Sequence, residues 1–218
     1  MVLDVIKQRA SIRSYSAKKI SDEDLKTILE AARIAPSWMN VQPWHFIAVN
    51  STETKKKLFE LANGQKHVLE APTVILILAD IEAWNEDRFK KILAKKDGIT
   101  EEVMEFIFNN SGLYPKLHGE QKLLLRTIEQ TTYAMSHILL QAKALGIDSC
   151  VIGAFGNELT EFNTDLYNKI KESLSIPQSN CIAGMITLGY KKEESTTPKK
   201  FRKEFDEVIS KENYNKKF

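Results

Sequence analysis

The sequence contains few of the residues that cross-link small proteins or bind metals. Its 218 residues include only two cysteines, Cys150 and Cys181, which are well separated and belong to no C-x-x-C pattern. Two isolated thiols favour a reducing compartment without structural disulfides and argue against a structural zinc site. The four histidines are scattered, and no histidine or carboxylate cluster has the spacing of metal ligands, so no metal site is predicted.

Long apolar runs and a strong excess of one charge are also absent. The longest apolar run, VILILA, covers residues 74–79, whereas a membrane-spanning helix needs about 20 residues. The first 15 residues contain no sustained apolar segment of the kind found in signal peptides. The formal net charge of +2 provides no broad field for nucleic acid or an anionic membrane. We therefore expect a cytoplasmic protein without membrane or nucleic-acid partners.

Two glycine-rich phosphate-binding motifs are missing as well. The chain has no G-x-G-x-x-G after a strand pattern and no G-x-x-x-x-G-K-[ST], so neither a dinucleotide-binding fold nor a nucleotide triphosphatase is indicated. A ligand that carries a phosphate would have to be held by side chains.

The patterns that are present predict one domain over residues 1–218, with no repeat or linker that divides it. A helix with Ser21 as its N-cap ends before Pro36, and residues 74–79 form a strand that is apolar on both faces and therefore central. The longest helical pattern covers residues 119–146, with one apolar face formed by Leu124, Ile128, Thr131, Met135, Ile138, Leu139 and Ala142. Residues 82–118 show helical patches without a strong core stripe, which predicts a variable helical excursion.

Two short basic clusters lie at opposite ends of the chain. In RASIR, Arg9, Ser11 and Arg13 alternate, so an extended segment places their side chains on one face. Two guanidinium groups and a hydroxyl can together bind a phosphate. Near the C-terminus, Lys200 and Arg202 alternate after a proline that favours an extended chain. Taken alone, each pattern is more typical of a solvated strand or a basic tail.

Four motifs then occur in an order that resembles the FMN-dependent nitroreductase family. They are RASIRSY, APSWMNVQPWHF, LGIDSCVIGAF and the basic pair in the tail, and they span nearly the whole chain. The P-S-x-x-N-x-Q-P-W pattern is the most specific of them. The resemblance implies an α+β three-layer sandwich, with a mixed, mainly antiparallel sheet surrounded by helices. It also implies a domain-swapped homodimer in which residues 191–218 embrace the partner subunit.

The same resemblance implies one FMN at each of two sites between the subunits, with NADH or NADPH as the electron donor. Residues matching Arg9, Ser11, Lys200 and Arg202 would hold the phosphate. Arg13 would reach the N1 and C2 carbonyl edge of the flavin, where a fixed cation stabilises the negative charge of the reduced ring.

The remaining contacts implied by the resemblance come from two loops and a turn. Pro36, Ser37, Trp38 and Asn40 would line the flavin, and Trp38 stands where the family often has a small residue, so it would narrow the pocket or pack elsewhere. Gln65, and after it His67, would supply a further polar contact, although both are also typical of a solvated helix end. At the VIGAF turn, Ile152 and Gly153 would approach the ring, with the Gly153 amide donating to N5.

No side chain is expected to be catalytic, because the flavin performs the chemistry. The implied reaction is a ping-pong transfer of hydride from NAD(P)H, through flavin N5, to a nitroaromatic, a quinone or a similar acceptor. Three alternatives remain at this point: a flavoenzyme of the same fold that destroys flavin or removes halogen reductively, a flavin-binding protein without turnover, and, least favoured by the low net charge, a nucleic-acid binder.

Overall fold

The sheet at the centre of the molecule is antiparallel. The structure, a computed structural model, describes residues 1–157, 160–214 and 216–218. Its strands are β1 (Trp44–Val49), β2 (Thr73–Asp80), β3 (Asp148–Ile152) and β4 (Asn180–Gly189), arranged in the order β1-β2-β4-β3. All three neighbouring strand pairs are antiparallel, and an isolated parallel bridge outside these strands joins Ser11 to Ser149.

Helices surround this sheet. They are α1 (Val2–Gln8), α2 (Asp22–Arg33), α3 (Thr52–Leu61), α4 (His67–Glu70), α5 (Glu86–Leu93), α6 (Glu101–Asn109), α7 (Glu120–Ala144), α8 (Thr164–Ser173) and α9 (Phe205–Val208). Short 3-10 turns occur at Trp38–Asn40, Ile81–Trp84 and Pro115–His118. The predicted N-cap of α2 is confirmed, because the Ser21 hydroxyl accepts a hydrogen bond from the Asp24 amide at 3.0 Å.

Strand β2 shows why the fold has three layers. Successive side chains of a strand point to opposite faces. In β2, Val74, Leu76 and Leu78 pack in one apolar cluster with residues of α3, α4 and α8. Ile75 and Ile77 pack in a second cluster with residues of α2 and α7. The strand is therefore covered on both faces, and the predicted α+β sandwich is confirmed.

The long helix α7 is buried along a different line from the one predicted. Its buried residues are Leu123, Thr127, Gln130, Thr131, Ala134, Ile138 and Ala142. Four residues of the predicted apolar face are only half-buried, namely Leu124, Ile128, Met135 and Leu139. The apolar pattern was misleading because some polar side chains of α7 are buried together with hydrogen-bond partners. Thr127, for example, accepts a hydrogen bond from the Trp84 indole at 2.9 Å. This hydrogen bond offsets the free-energy cost of burying the hydroxyl.

Residues 82–118 have a core of their own, contrary to the expectation of a segment without one. Trp84, Phe89, Phe108 and Tyr114 are buried together with Leu93, Ile107, Leu123 and Val41. The Tyr114 hydroxyl donates to the Trp84 carbonyl at 2.7 Å, and the Phe108 and Tyr114 rings meet edge to face at 4.8 Å between centroids. The structural role of these four aromatic rings is packing, whereas Phe106 on α6 is exposed.

Candidate functional site

The segment between α1 and α2 presents alternate side chains to the surface. The Ile12 amide donates to the Ser149 carbonyl at 3.0 Å, which fixes the segment against β3. Ala10 and Ile12 are buried, while Arg9 and Ser11 are half-buried and Arg13 is exposed. The alternation predicted from the sequence is therefore confirmed, because period-two burial places Arg9, Ser11 and Arg13 on the outer face.

The thiol of Cys150 lies beneath these three side chains. Burial raises the pKa of this thiol, whereas the nearby Arg13, Ser11 and Arg9 side chains act in the opposite direction. Cys150 is itself buried, as expected, but the sequence did not reveal that it faces this cluster.

A lysine from the far end of the chain joins the cluster. The Lys200 ammonium donates to the carbonyl of Arg9 at 2.9 Å and also to the carbonyl of Lys7. The structure thus brings Lys200, from the second basic cluster, to the backbone of the first, which lies almost the whole sequence away. It does not bring Arg202 to the same contact, because that guanidinium donates to the Phe201 carbonyl at 2.6 Å.

The cations of this cluster have no carboxylate partner in the described part of the chain. No ion pair within 4.0 Å involves Arg9, Arg13, Lys200 or Arg202 there. A cavity of about 410 Å³ lies between residues 11–14 and the tail, where its lining residues are Glu194, Ser195, Thr196 and Pro198. Clustered cations that lack a carboxylate partner repel one another and favour a bound anion.

Helix α4 places a buried histidine beside this cluster. His67 is 4% exposed, and its Nε2 atom has no hydrogen-bond partner among the described residues. Burial lowers the pKa of His67, the nearby Arg13 charge lowers it further, and Glu70 opposes both. An unpartnered buried ring nitrogen is unusual in a folded protein and calls for an explanation such as a ligand.

The turn after β3 provides open space next to backbone. Ile152 is buried, whereas Gly153 is exposed, and a Cβ added at Gly153 would have no atom of the described chain within 4 Å. The Gln65 side-chain amide donates to the carbonyl of the following residue, Ala154, at 3.4 Å. The predicted candidates Gln65 and Gly153 therefore lie close together, on either side of the turn.

The loop over residues 36–42 has an unusual backbone. Met39, Asn40 and Gln42 have φ values of 46°, 62° and 49°, a region that costs roughly 1 kcal/mol or more per non-glycine residue. The Ser37 hydroxyl accepts from the Gln42 amide at 2.9 Å and helps to hold this shape. Pro36 and Asn40 are exposed, and Ser37 is half-buried, so all three can reach a ligand or partner outside the chain.

Trp38 differs from its neighbours in this loop, because its ring packs against the cluster of residues 82–118. Its indole N–H donates to the Leu113 carbonyl at 3.3 Å. The sequence left two possibilities for this ring, which were to narrow the flavin pocket or to pack elsewhere. In the structure the ring packs elsewhere, within its own chain. Trp44 contacts the core cluster on the α2 and α7 side of the sheet.

Comparison with known proteins identifies the class to which this geometry belongs. The sequence pattern of the nitroreductase family matches residues 6–190, which include the RASIR segment, the loop at residues 36–42 and the VIGAF turn. The chain belongs to the nitroreductase family.

Individual relatives agree with this assignment to the family. A provisionally named NAD(P)H nitroreductase of Haemophilus influenzae is 33% identical over 221 residues, covering 95% of this chain and 94% of the relative. The provisionally named NAD(P)H nitroreductase YodC of Bacillus subtilis is 34% identical over 167 residues, covering 75% and 81%. A solved structure of a provisionally assigned B. subtilis nitroreductase superposes with a TM-score of 0.80 at 24% identity, covering 96% of this chain and 97% of that one.

Two kinds of site are not found in the described residues. None of their helices combines the length and the apolar character needed to cross a membrane. No group of three or more His, Cys, Asp or Glu side chains among them is arranged to hold a metal ion.

Proposed function

We propose that this nitroreductase binds FMN and transfers reducing equivalents from NADH or NADPH to a nitroaromatic, a quinone or a similar acceptor. The chain is an NAD(P)H-dependent oxidoreductase of a family that generally uses flavin. A structural neighbour from Staphylococcus epidermidis is provisionally described as an NAD(P)H:FMN oxidoreductase. The observation that carries the proposal is the common outer face of Arg9, Ser11 and Arg13, with Lys200 bound to the Arg9 carbonyl and no carboxylate partner of these cations among the described residues.

The residues fit FMN in three respects. The cationic cluster suits a phosphate, since arginine and lysine form charge-assisted hydrogen bonds with phosphate oxygens. The Nε2 atom of His67 is an unpartnered buried polar atom beside Arg13. The absence of atoms around a Cβ at Gly153 leaves room for a flat ring system to approach the backbone closely.

Each part of the site then has a proposed role. When bound, FMN supplies hydride transfer at N5, which links the donor and the acceptor in a ping-pong sequence. Arg9, Ser11 and Lys200 bind the phosphate, without the Arg202 that the resemblance implied. Arg13 places a positive charge at the N1 and C2 carbonyl edge, where it stabilises negative charge on the ring.

The other contacts position the ring and admit the acceptor. The amide of Gly153 would donate to flavin N5, and Ile152 would pack against the flavin ring. Gln65 and His67 supply polar contacts at the ring edge. Pro36, Ser37 and Asn40 form the wall where donor and acceptor enter, and Trp38 packs behind this wall against residues 82–118. No side chain transfers a proton in this scheme, in keeping with the absence of an acid and base pair among the proposed contacts.

The protein is proposed to act as a homodimer with one FMN-binding domain, residues 1–218, in each subunit. Residues 191–218 expose several large apolar side chains, among them Phe201, Phe205, Val208 and Phe218. Strand β1 is an edge of the sheet, with His45 and Ala48 exposed. An exposed apolar tail and an open strand edge both favour a second subunit, so the tail is proposed to embrace the partner.

Absorption and turnover test this function together. The purified protein should show oxidised-flavin bands, release FMN on denaturation, and oxidise NADH or NADPH only when a quinone or nitro compound is present. Sedimentation should give the mass of a dimer, and truncation after residue 190 should give a monomer. Flavin binding without turnover would refute the reductase and leave a flavin-binding protein. Failure to take up added FMN would refute the whole proposal.

A further inference from the structure

We infer that Trp38 is a positioning residue that joins the loop at residues 36–42 to the helical segment at residues 82–118 and thereby limits the size of the acceptor. This inference rests on the proposed function, in which that loop forms the entrance to the flavin. It concerns a residue at which this chain has a large ring, whereas the family that its motifs resemble often has a small residue there.

Trp38 is bound at two points that are far apart in the sequence. Its backbone amide donates to the side-chain carbonyl of Gln130, on α7, at 2.7 Å. Its indole N–H donates to the backbone carbonyl of Leu113, in the helical segment, at 3.3 Å. Gln130 is buried, so the first hydrogen bond is protected from water and its loss would leave a buried amide oxygen without a partner.

The ring of Trp38 also packs between the loop and the helical segment. Its apolar face joins the cluster that contains Trp84, Phe89 and Tyr114. The Arg126 guanidinium lies 5.5 Å from the ring centroid, within the range of a cation–π contact, and an ion pair of 2.6 Å with Glu129 fixes its position. The indole therefore contacts both α7 and the helical segment.

The strained backbone beside Trp38 requires such an anchor. Met39, Asn40 and Gln42 have positive φ values, and strained conformations persist only where surrounding contacts fix them. A second anchor holds the end of the loop, where the Thr131 hydroxyl shares its one proton between the Pro43 carbonyl at 3.1 Å and the Thr127 carbonyl at 2.8 Å. Trp38 donates a hydrogen bond to the helical segment, and Val41 packs against the same cluster without a side-chain hydrogen bond, so removing the Trp38 ring would loosen both the loop and the helical segment.

Hydrogen exchange of the apoprotein provides a test that does not depend on activity. In W38S, amide exchange should rise at least five-fold both in residues 36–42 and in residues 110–118, with no change in β2 and β4. The matched control T131V loses the other anchor of the loop and should raise exchange in the loop alone. W38F keeps the ring but not the N–H donor, so it should show a smaller rise in both segments. If W38S does not fold, W38F still allows the exchange experiment to be carried out.

Turnover with acceptors of graded size tests the consequence. We expect W38S to lower KM at least five-fold for a three-ring quinone and less than two-fold for benzoquinone, with FMN content unchanged. An equal change for both acceptors, or faster exchange in only one of the two segments, would overturn the inference. Wild-type protein without flavin or turnover would instead refute the proposed function, while the exchange experiment would still decide whether Trp38 joins the two segments.

Discussion

The phosphate site makes a prediction that separates recognition of the phosphate from recognition of the ring. Replacing Arg9 by alanine removes a half-buried guanidinium from the cationic cluster. A hydrogen bond to a charged group contributes about 1.5 to 3 kcal/mol, so R9A should weaken FMN binding about 10- to 150-fold. The Lys200 ammonium is exposed, and solvent-exposed ion pairs contribute only about 0.2 to 1 kcal/mol. K200A should therefore weaken FMN binding no more than about five-fold.

Riboflavin provides the internal control, because it has the same ring system without the phosphate. Titration of apoprotein, followed by quenching of flavin fluorescence, should show that R9A and K200A leave riboflavin affinity within two-fold of wild type. K199A, which removes the adjacent exposed lysine, should leave FMN affinity unchanged. If R9A weakens riboflavin and FMN equally, Arg9 supports the fold or the ring, and the assignment of the phosphate site is wrong.

Three further substitutions probe the site and the fold. G153A should leave the melting temperature of the apoprotein unchanged, since the added Cβ meets no atom of the described chain within 4 Å, yet weaken FMN binding about five-fold or more in a fluorescence titration if the ring occupies that space. G189A should lower the free energy of unfolding by about 1 to 3 kcal/mol in urea denaturation, because its Cβ would lie 2.6 Å from Cδ of Pro72. Burial lowers the pKa of His67 in the folded state. Just below the ordinary value of about 6.5 the unfolded state therefore binds more protons than the folded state, and the free energy of unfolding decreases as the pH is lowered through this range. H67Q should flatten this dependence on pH in urea titrations of the apoprotein, and an unchanged dependence would contradict the assignment.

The parts of the fold that the sequence predicted correctly are those that depend on short-range periodicity. The apolar run of β2 predicted a strand that is buried on both faces, and the two apolar clusters bury these faces. The alternation of side chains along an extended segment placed Arg9, Ser11 and Arg13 on one face. The apolar face of α7 was predicted less well, because hydrophobicity alone cannot identify a polar side chain such as Gln130 that is buried by virtue of a specific partner.

The features of the site that the sequence did not reveal depend on contacts between distant residues. The hydrogen bond from Trp38 to Gln130 joins residues 92 apart, and the one to Leu113 joins residues 75 apart. No periodicity within either segment encodes such a partner, so the motif places Trp38 in the loop but cannot show which way its ring turns. The same holds for Cys150, whose place beneath the arginines follows from the pairing of Ser11 with Ser149. Local pattern thus defines the side chains available to the proposed FMN site, and tertiary packing determines which of them face it.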